Sequence, residues 1–116
     1  MIYSIGEFIV NLNNKNTDAL GLSIDYWLSY GTVGWDEPMD TYFIQLDNEY
    51  WFGSFYQEIK TIEKLKHICY ELFGNDVTFN EKTINSLKQY DKNVKDEKEN
   101  IDRLYLLNHR VDESWT

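Results

Sequence analysis

Cysteine occurs once in this 116-residue chain, proline once and histidine twice. The lone thiol, Cys69, excludes an internal disulfide and points to a reducing compartment. With only His67 and His109 beside it, Cys69 cannot complete the set of nitrogen and sulfur ligands that closes a structural zinc site. His67 and Cys69 also sit two apart in a helical pattern, where side chains do not face each other, so Cys69 is expected in the core. No phosphate-cradling glycine motif is present, because Gly31 and Gly34 open no helix and no Lys-Ser/Thr pair follows them. No spacing assembles a nucleophile with a base. Asp36, Glu37 and Asp40 gather beside Trp35, as acids do in a glycosidase or hard-cation site, but a chain this short rarely builds a substrate cleft around them. The expectation is a non-enzyme, with no catalytic residues, no metal and no cofactor. No apolar run reaches spanning length, and Met1-Ile2-Tyr3-Ser4 enters a strand-like pattern without a basic region or cleavage signature. A cytoplasmic location with no membrane partner is expected.

Positive charge is scarce in one half. Up to Ile59 the sequence holds nine acids against Lys15 alone, a net charge of −8, whereas from Lys60 onward eleven acids meet ten bases, leaving −1. An acidic field of this kind repels nucleic acid and anionic membrane and speeds encounter with a basic surface, although solubility alone also calls for surface charge. Direct nucleic-acid binding is disfavoured for the same reason. Aromatics on a sheet need interleaved Lys and Arg before they serve as an RNA platform.

What is abundant is aromatic: 16% of residues, with 42% apolar overall, which fits one globular domain over 1–116 built from an acidic, β-rich half (1–59) and a helical half (60–116). Thr41–Tyr56 reads as a central hairpin, with Tyr42, Ile44 and Leu46 on one strand face and Phe43 and Gln45 on the other. Asp47-Asn48 marks a two-residue turn, and Tyr50 and Phe52 oppose Trp51 and Phe55 on the return. Gly53 inside the return strand indicates a bulge or a close backbone approach. Tyr3–Leu12 and Leu22–Tyr30 also alternate and read as strands, the second placing Trp27 on its polar side. Gly31–Asp40, with two glycines and Pro38, reads as a loop. Thr61 should cap a helix whose stripe is Ile62, Leu65, Ile68, Cys69, Leu72 and Phe73, ending at Gly74, with Lys60, Lys64 and Lys66 on its exposed side. Asn80 should cap a second helix from Glu81 to Tyr90, with Ile84 and Leu87 inward. Residues 91–100 suit a solvated helix or a linker. Residues 101–111 suit a helix or a buried strand, with length and flanking charge favouring the helix. The fold class is α+β, an antiparallel sheet from the first half packed by helices from the second.

The order from Thr41 to Gly74, strand, tight turn, aromatic strand with Gly53, Glu58-Ile59 and a helix closing in Leu72-Phe73-Gly74, resembles the small immunity proteins that neutralise bacterial polymorphic toxins. Phage anti-defence inhibitors, anti-CRISPR and anti-restriction proteins among them, are similar in their small, acidic, cysteine-poor style. The resemblance implies an inhibitor that blocks a basic partner, namely a toxin, nuclease or nucleoprotein effector, and spaced carboxylates with exposed aromatics would imitate the phosphates and bases of nucleic acid. Large aromatics inside a charged rim carry such interfaces, so Trp27, Trp35 and Trp51 are the candidate contacts and Asp36, Glu37, Asp40, Asp47 and Glu49 the candidate steering acids. Core packing competes for each tryptophan. A small-ligand or carbohydrate module stacking on the same tryptophans is the alternative, and a subunit of a larger assembly is a third.

Overall fold

A computed structural model describes residues 1–93 and 101–111, and its architecture is α+β. Strands β1 (Ile2–Ser4), β2 (Gly31–Asp36), β3 (Thr41–Leu46) and β4 (Tyr50–Phe52) form a four-stranded antiparallel sheet in the order β1-β2-β3-β4. Helices α1 (Ile5–Phe8) and α2 (Ile24–Tyr30) come from the first half, and α3 (Ile62–Phe73), α4 (Glu81–Leu87) and α5 (Arg103–Asn108) from the second. No described helix is long and apolar enough to cross a membrane.

The hairpin falls where alternation places it. Gln45 pairs with Trp51 and Leu46 with Tyr50, and the connection is three residues rather than two, with Asn48 at φ 64°. Tyr50 and Phe52 are buried and Trp51 is exposed, as the pattern requires. Thr61 caps α3 by accepting from the Lys64 amide at 3.2 Å, and the whole expected stripe of α3 is buried, Cys69 included. Asn80 caps α4 by accepting from the Lys82 amide at 3.0 Å, and Ile84 and Leu87 face inward. Over the last stretch the helix reading holds, with Asp102 accepting from the Tyr105 amide at 2.9 Å. Part of the ambiguous linker, residues 94–100, lies outside the described residues.

Three expectations in the first half are overturned. Tyr3–Leu12 is not one strand, because Ser4 and Glu7 close a capping box: the Ser4 amide and hydroxyl both donate to Glu7 Oε1, at 3.2 and 2.9 Å, and start α1. Leu22–Tyr30 is not a strand either: from Ile24 it is α2, capped by the Ser23 hydroxyl, which accepts from the Asp25 amide at 3.1 Å. Its Ile24/Tyr26/Leu28/Tyr30 alternation imitates a strand, while Ile24 and Trp27, one turn apart, are the residues buried. Gly31–Asp36 is not loop but the strand between β1 and β3, in register with β3 from Gly31↔Leu46 to Asp36↔Thr41. Gly31 is required there, since a Cβ would stand 2.6 Å from the Trp27 carbonyl oxygen and 2.7 Å from its ring. Only a glycine lets β2 leave α2 directly beneath that indole. The expected loop is confined to the turn that follows, around Pro38.

Register sorts the sheet into two faces. Val33, Trp35, Tyr42, Ile44, Leu46, Tyr50 and Phe52 all lie on one and are buried in a core that both halves furnish. Trp27 sits at its centre, stacked on Tyr50 at 5.8 Å and edge-on to Phe73 at 5.0 Å. Ile2, Phe43, Gln45 and Trp51 belong to the other face. Lys64 also departs from expectation: it is buried, and its Nζ donates to the Glu58 carbonyl at 2.9 Å.

Gly53 turns the chain out of β4 at φ +85°, with the site of a Cβ only 2.1 Å from the Tyr42 carbonyl oxygen. Gly21, at φ +94°, has nothing within 4 Å of the same point. Strain alone costs Gly21→Ala about 1 kcal/mol. Strain plus backbone collision costs Gly53→Ala about 3 kcal/mol or more. Urea unfolding of the two variants should therefore separate them clearly, and equal midpoints would mean that β3 yields to the added methyl.

Candidate functional site

The eight residues singled out from the sequence do not form one surface. Trp27 is fully buried, and its indole N–H donates to Asp18 Oδ2 at 2.9 Å. The expectation that it meets a partner is therefore wrong, because an alternating pattern was assigned to what is a helix. Trp35 is also core, 5% exposed, donating to Glu37 Oε2 at 3.0 Å and stacked on Tyr90 at 4.9 Å with the rings nearly parallel. It is packed in the core and also borders the groove described below. Trp51 alone of the three is open, at 42% exposure.

The acids separate likewise. Asp36, Glu37 and Asp40 lie at one end of β3 and Asp47 and Glu49 at the other, roughly 17 Å away at about 3.4 Å per residue. Asp40, at φ 51°, takes a 2.7 Å ion pair from Lys92 and a 2.7 Å hydrogen bond from Gln57, so its charge is neutralised within the fold. The Lys92 hydrogen bond, ahead of that from Gln57, holds its carboxyl below the usual range. Asp36 accepts from the Met39 amide at 3.3 Å, fixing the turn, and Glu37 is exposed. Asp47 is exposed, with its carbonyl accepting from the Tyr26 hydroxyl at 2.9 Å. Glu49 stands 3.9 Å from Arg110.

What the structure does bring together is Trp51, Phe43, Ile2 and Gln45 with Asp36 and Glu37, around a shallow groove on the second sheet face. Ile2 is 69% exposed there and Phe43 is nearly covered. No lysine or arginine side chain lines the groove. An exposed apolar patch rimmed by carboxylates suits a partner that offers apolar and cationic groups together.

The polar centres that hold the fold were not visible as motifs. Asp18, 5% exposed, accepts from the Leu20 and Leu22 amides as well as from Trp27. Asp91 Oδ1 lies 2.7 Å from the Tyr42 hydroxyl and accepts from the Ile62 amide at 2.8 Å, joining β3 to the start of α3. Burial, and then the neighbouring Asp91 charge, push the Tyr42 hydroxyl far above its ordinary value. Glu58 is the largest node. Its Oε1 accepts from the Gly53 and Ser54 amides, both at 2.9 Å, and its Oε2 meets the Tyr105 hydroxyl at 2.8 Å and His109 Nε2 at 2.6 Å. The other ring nitrogen of His109 lies 2.8 Å from the Tyr105 carbonyl, which can only accept. With Glu58 ionised, both nitrogens donate and the ring is an imidazolium. Among the described residues no cluster of three His, Cys, Asp or Glu is placed to hold a metal ion. Burial pushes the Cys69 thiol up, away from the thiolate that a nucleophile needs.

No protein-family model matches this sequence, and neither a curated protein nor a solved structure matches it.

Burial by itself drives the His109 pKa down, but the Glu58 hydrogen bond, the Tyr105 carbonyl and the Glu58 charge outweigh it and hold the value above its ordinary 6.5. Burial would raise Glu58, yet the His109 hydrogen bond and charge, with Tyr105 and the Ser54 amide, hold it below its ordinary 4.5. The raised group contributes stability that is complete below pH 6.5 and lost as pH rises through the folded-state value. The depressed group contributes stability present above pH 4.5 and lost as pH falls through its folded-state value. Urea midpoints should therefore peak between those limits. His109→Gln should flatten the alkaline limb, and parallel limbs in the two proteins would show that the pair contributes nothing there.

Proposed function

We propose that this chain is a stoichiometric inhibitor that occludes a basic protein, such as a toxin, nuclease or nucleoprotein effector, through the second face of its sheet. The observation that carries this reading is Trp51. It is the one tryptophan of the three candidates left open, it sits beside Phe43 and Ile2, and the groove it borders is rimmed by Asp36 and Glu37 without a basic side chain. A half-exposed indole in an apolar centre with a charged rim is the arrangement that dominates binding energy at interfaces. Asp47 and Glu49, at the far end of β3, extend the acidic field that steers a basic partner toward the face. The same field repels nucleic acid and anionic lipid, so the partner is a protein. The reading is of a binding role and not of catalysis.

The test is affinity capture from the source cell, or its phage-infected host, at low and high salt, followed by binding kinetics on the protein recovered. A single basic protein should be retained in near-stoichiometric amount and released as salt rises. Trp51→Ala should weaken its binding by about 30-fold or more with the urea midpoint unchanged. Asp36→Asn with Glu37→Gln should slow association several-fold and flatten its salt dependence. Asp40 is left intact because Lys92 and Gln57 use it structurally. Full retention by the Trp51 variant, or loss of binding that tracks loss of stability, would overturn the assignment.

A further inference from the structure

Trp51 borders two depressions. The acidic groove lies toward β3 and β2, and a cleft of about 530 Å³ lies on the other side, toward the C-terminal segment that closes the β4 edge. That volume falls within the roughly 300–1,000 Å³ of small-molecule sites. Trp51, Phe55 and Val111 give the cleft apolar walls, and Phe55 is 56% exposed. The bridge from Tyr50 to Arg110 sets Val111 opposite Glu49, on the indole's side of the sheet. These walls are fixed by the fold itself. Ser54, beside Phe55, donates its amide to Glu58 Oε1 at 2.9 Å, while His109 Nε2 meets Glu58 Oε2 at 2.6 Å from the opposite wall. The Trp51 amide donates to the His109 carbonyl at 3.0 Å and the Val111 amide to the Glu49 carbonyl at 2.7 Å. One buried carboxylate and two backbone bonds therefore hold the cleft in shape, which spares a ligand the entropy of ordering it. The cleft offers no free charge. His109 lines it, but both ring nitrogens are committed, one to Glu58 and one to the Tyr105 carbonyl. Arg110 lines it too, yet its guanidinium overlies the buried Tyr50 ring at 6.0 Å, on the sheet face away from Trp51. Ser54 and Asn108, the other polar residues of the lining, are uncharged. An ion entering here would lose hydration with no counter-ion to replace it.

We propose that this cleft binds an uncharged aromatic compound, its ring packed against Trp51 and Phe55 and its polar edge toward Ser54 and Asn108. Apolar burial and ring contact carry the affinity, so salt leaves it unchanged, the opposite of what charge steering produces at the acidic groove. The cleft shares only Trp51 with that groove and uses none of its carboxylates. The chain's formal net charge of −9 biases any comparison of ions, so the ligand's charge preference has to be read where that field is screened.

The experiment titrates the full-length chain with 3-phenylpropanamide and, separately, with 3-phenylpropionate and 3-phenylpropylammonium, three probes that differ only in the charge of the tail. The backbone amides of Ser54, Phe55 and Asn108 and the Trp51 indole are followed by NMR. In about 0.5 M sodium chloride, where the field beyond the cleft is screened, the amide should bind with a dissociation constant about fivefold or more below that of either ion. Its affinity should be the same in about 0.1 M salt. Phe55→Ala, at an exposed position, should weaken the amide with the urea midpoint unchanged, and Asp36→Asn with Glu37→Gln should leave the amide's affinity intact. Either ion binding as tightly as the amide at high salt, undiminished affinity in Phe55→Ala, or no shift with the amide at millimolar concentration would each overturn the proposal.

Discussion

The carboxylate of Glu58 is the constraint on which the rest of this structure depends. It is 1% exposed, and a buried anion is tolerated only when its lone pairs are met. Two backbone amides meet one oxygen and a phenol and an imidazolium meet the other. Those four donors belong to segments far apart in sequence: the turn after β4 and the end of α5. Lys64 adds a fifth link through the Glu58 carbonyl, anchoring the first turns of α3 to the same point. The sheet's β4 edge is consequently closed by the backbone of residues 109–111 and is not left open for another chain, which is how an aromatic edge strand avoids aggregation.

With that edge closed and the helices packed on the first face, the exposed aromatics of this region lie on the second face and around the turn after β4. Trp51, Phe55 and Tyr56 are exposed there while Tyr50 and Phe52, on either side of Trp51 in β4, are fully buried. Strand alternation makes this division, and Gly53 preserves it. By turning the chain sharply against the Tyr42 carbonyl, it prevents the strand from continuing and lets Phe55 and Tyr56 swing outward. An unconstrained chain of this composition would bury such rings, so their exposure is a consequence of backbone geometry that the Glu58 node enforces from the other side.

How much of this was legible in the sequence depended on whether local and tertiary signals agreed. They agreed at the hairpin, at α3 and at α4, where periodicity, caps and turn residues coincide at Thr61, Asn80 and Asn48. They conflicted at residues 22–30, where a period of two overlies a helix that tertiary burial of Ile24 and Trp27 selects. The signs that would have resolved it are present: Ser23 before the run and Ser4-x-x-Glu7 earlier are both helix starts. At Gly31–Asp36 the glycines read as loop residues, although one of them is dictated by contact with Trp27, an indole misplaced in the same reading. Asp18, Glu58, Asp91 and His109 carried no local pattern at all. Their partners lie up to 51 residues away, as in the pairing of Glu58 with His109, and a single sequence contains no record of such pairing.

The same distinction reshapes the charge argument. Counted along the chain, the first half is a uniform acidic field, but folding divides its acids into two populations. Glu7, Asp18, Asp40 and Glu58 are engaged by the Ser4 cap, the Trp27 indole, Lys92 and His109, and they hold the fold together. Asp36 and Glu37 are held beside Trp51 on the groove rim, and Asp47 and Glu49 lie beyond it at the hairpin tip. Arg110, brought to the β4 edge by the C-terminal segment that Glu58 anchors, overlies the buried Tyr50 ring on the sheet face opposite that indole. The thickness of the sheet therefore separates the acidic groove from that cation. Net charge governs how a partner approaches this protein, and the pairing pattern inside the fold decides which of its charges that partner meets.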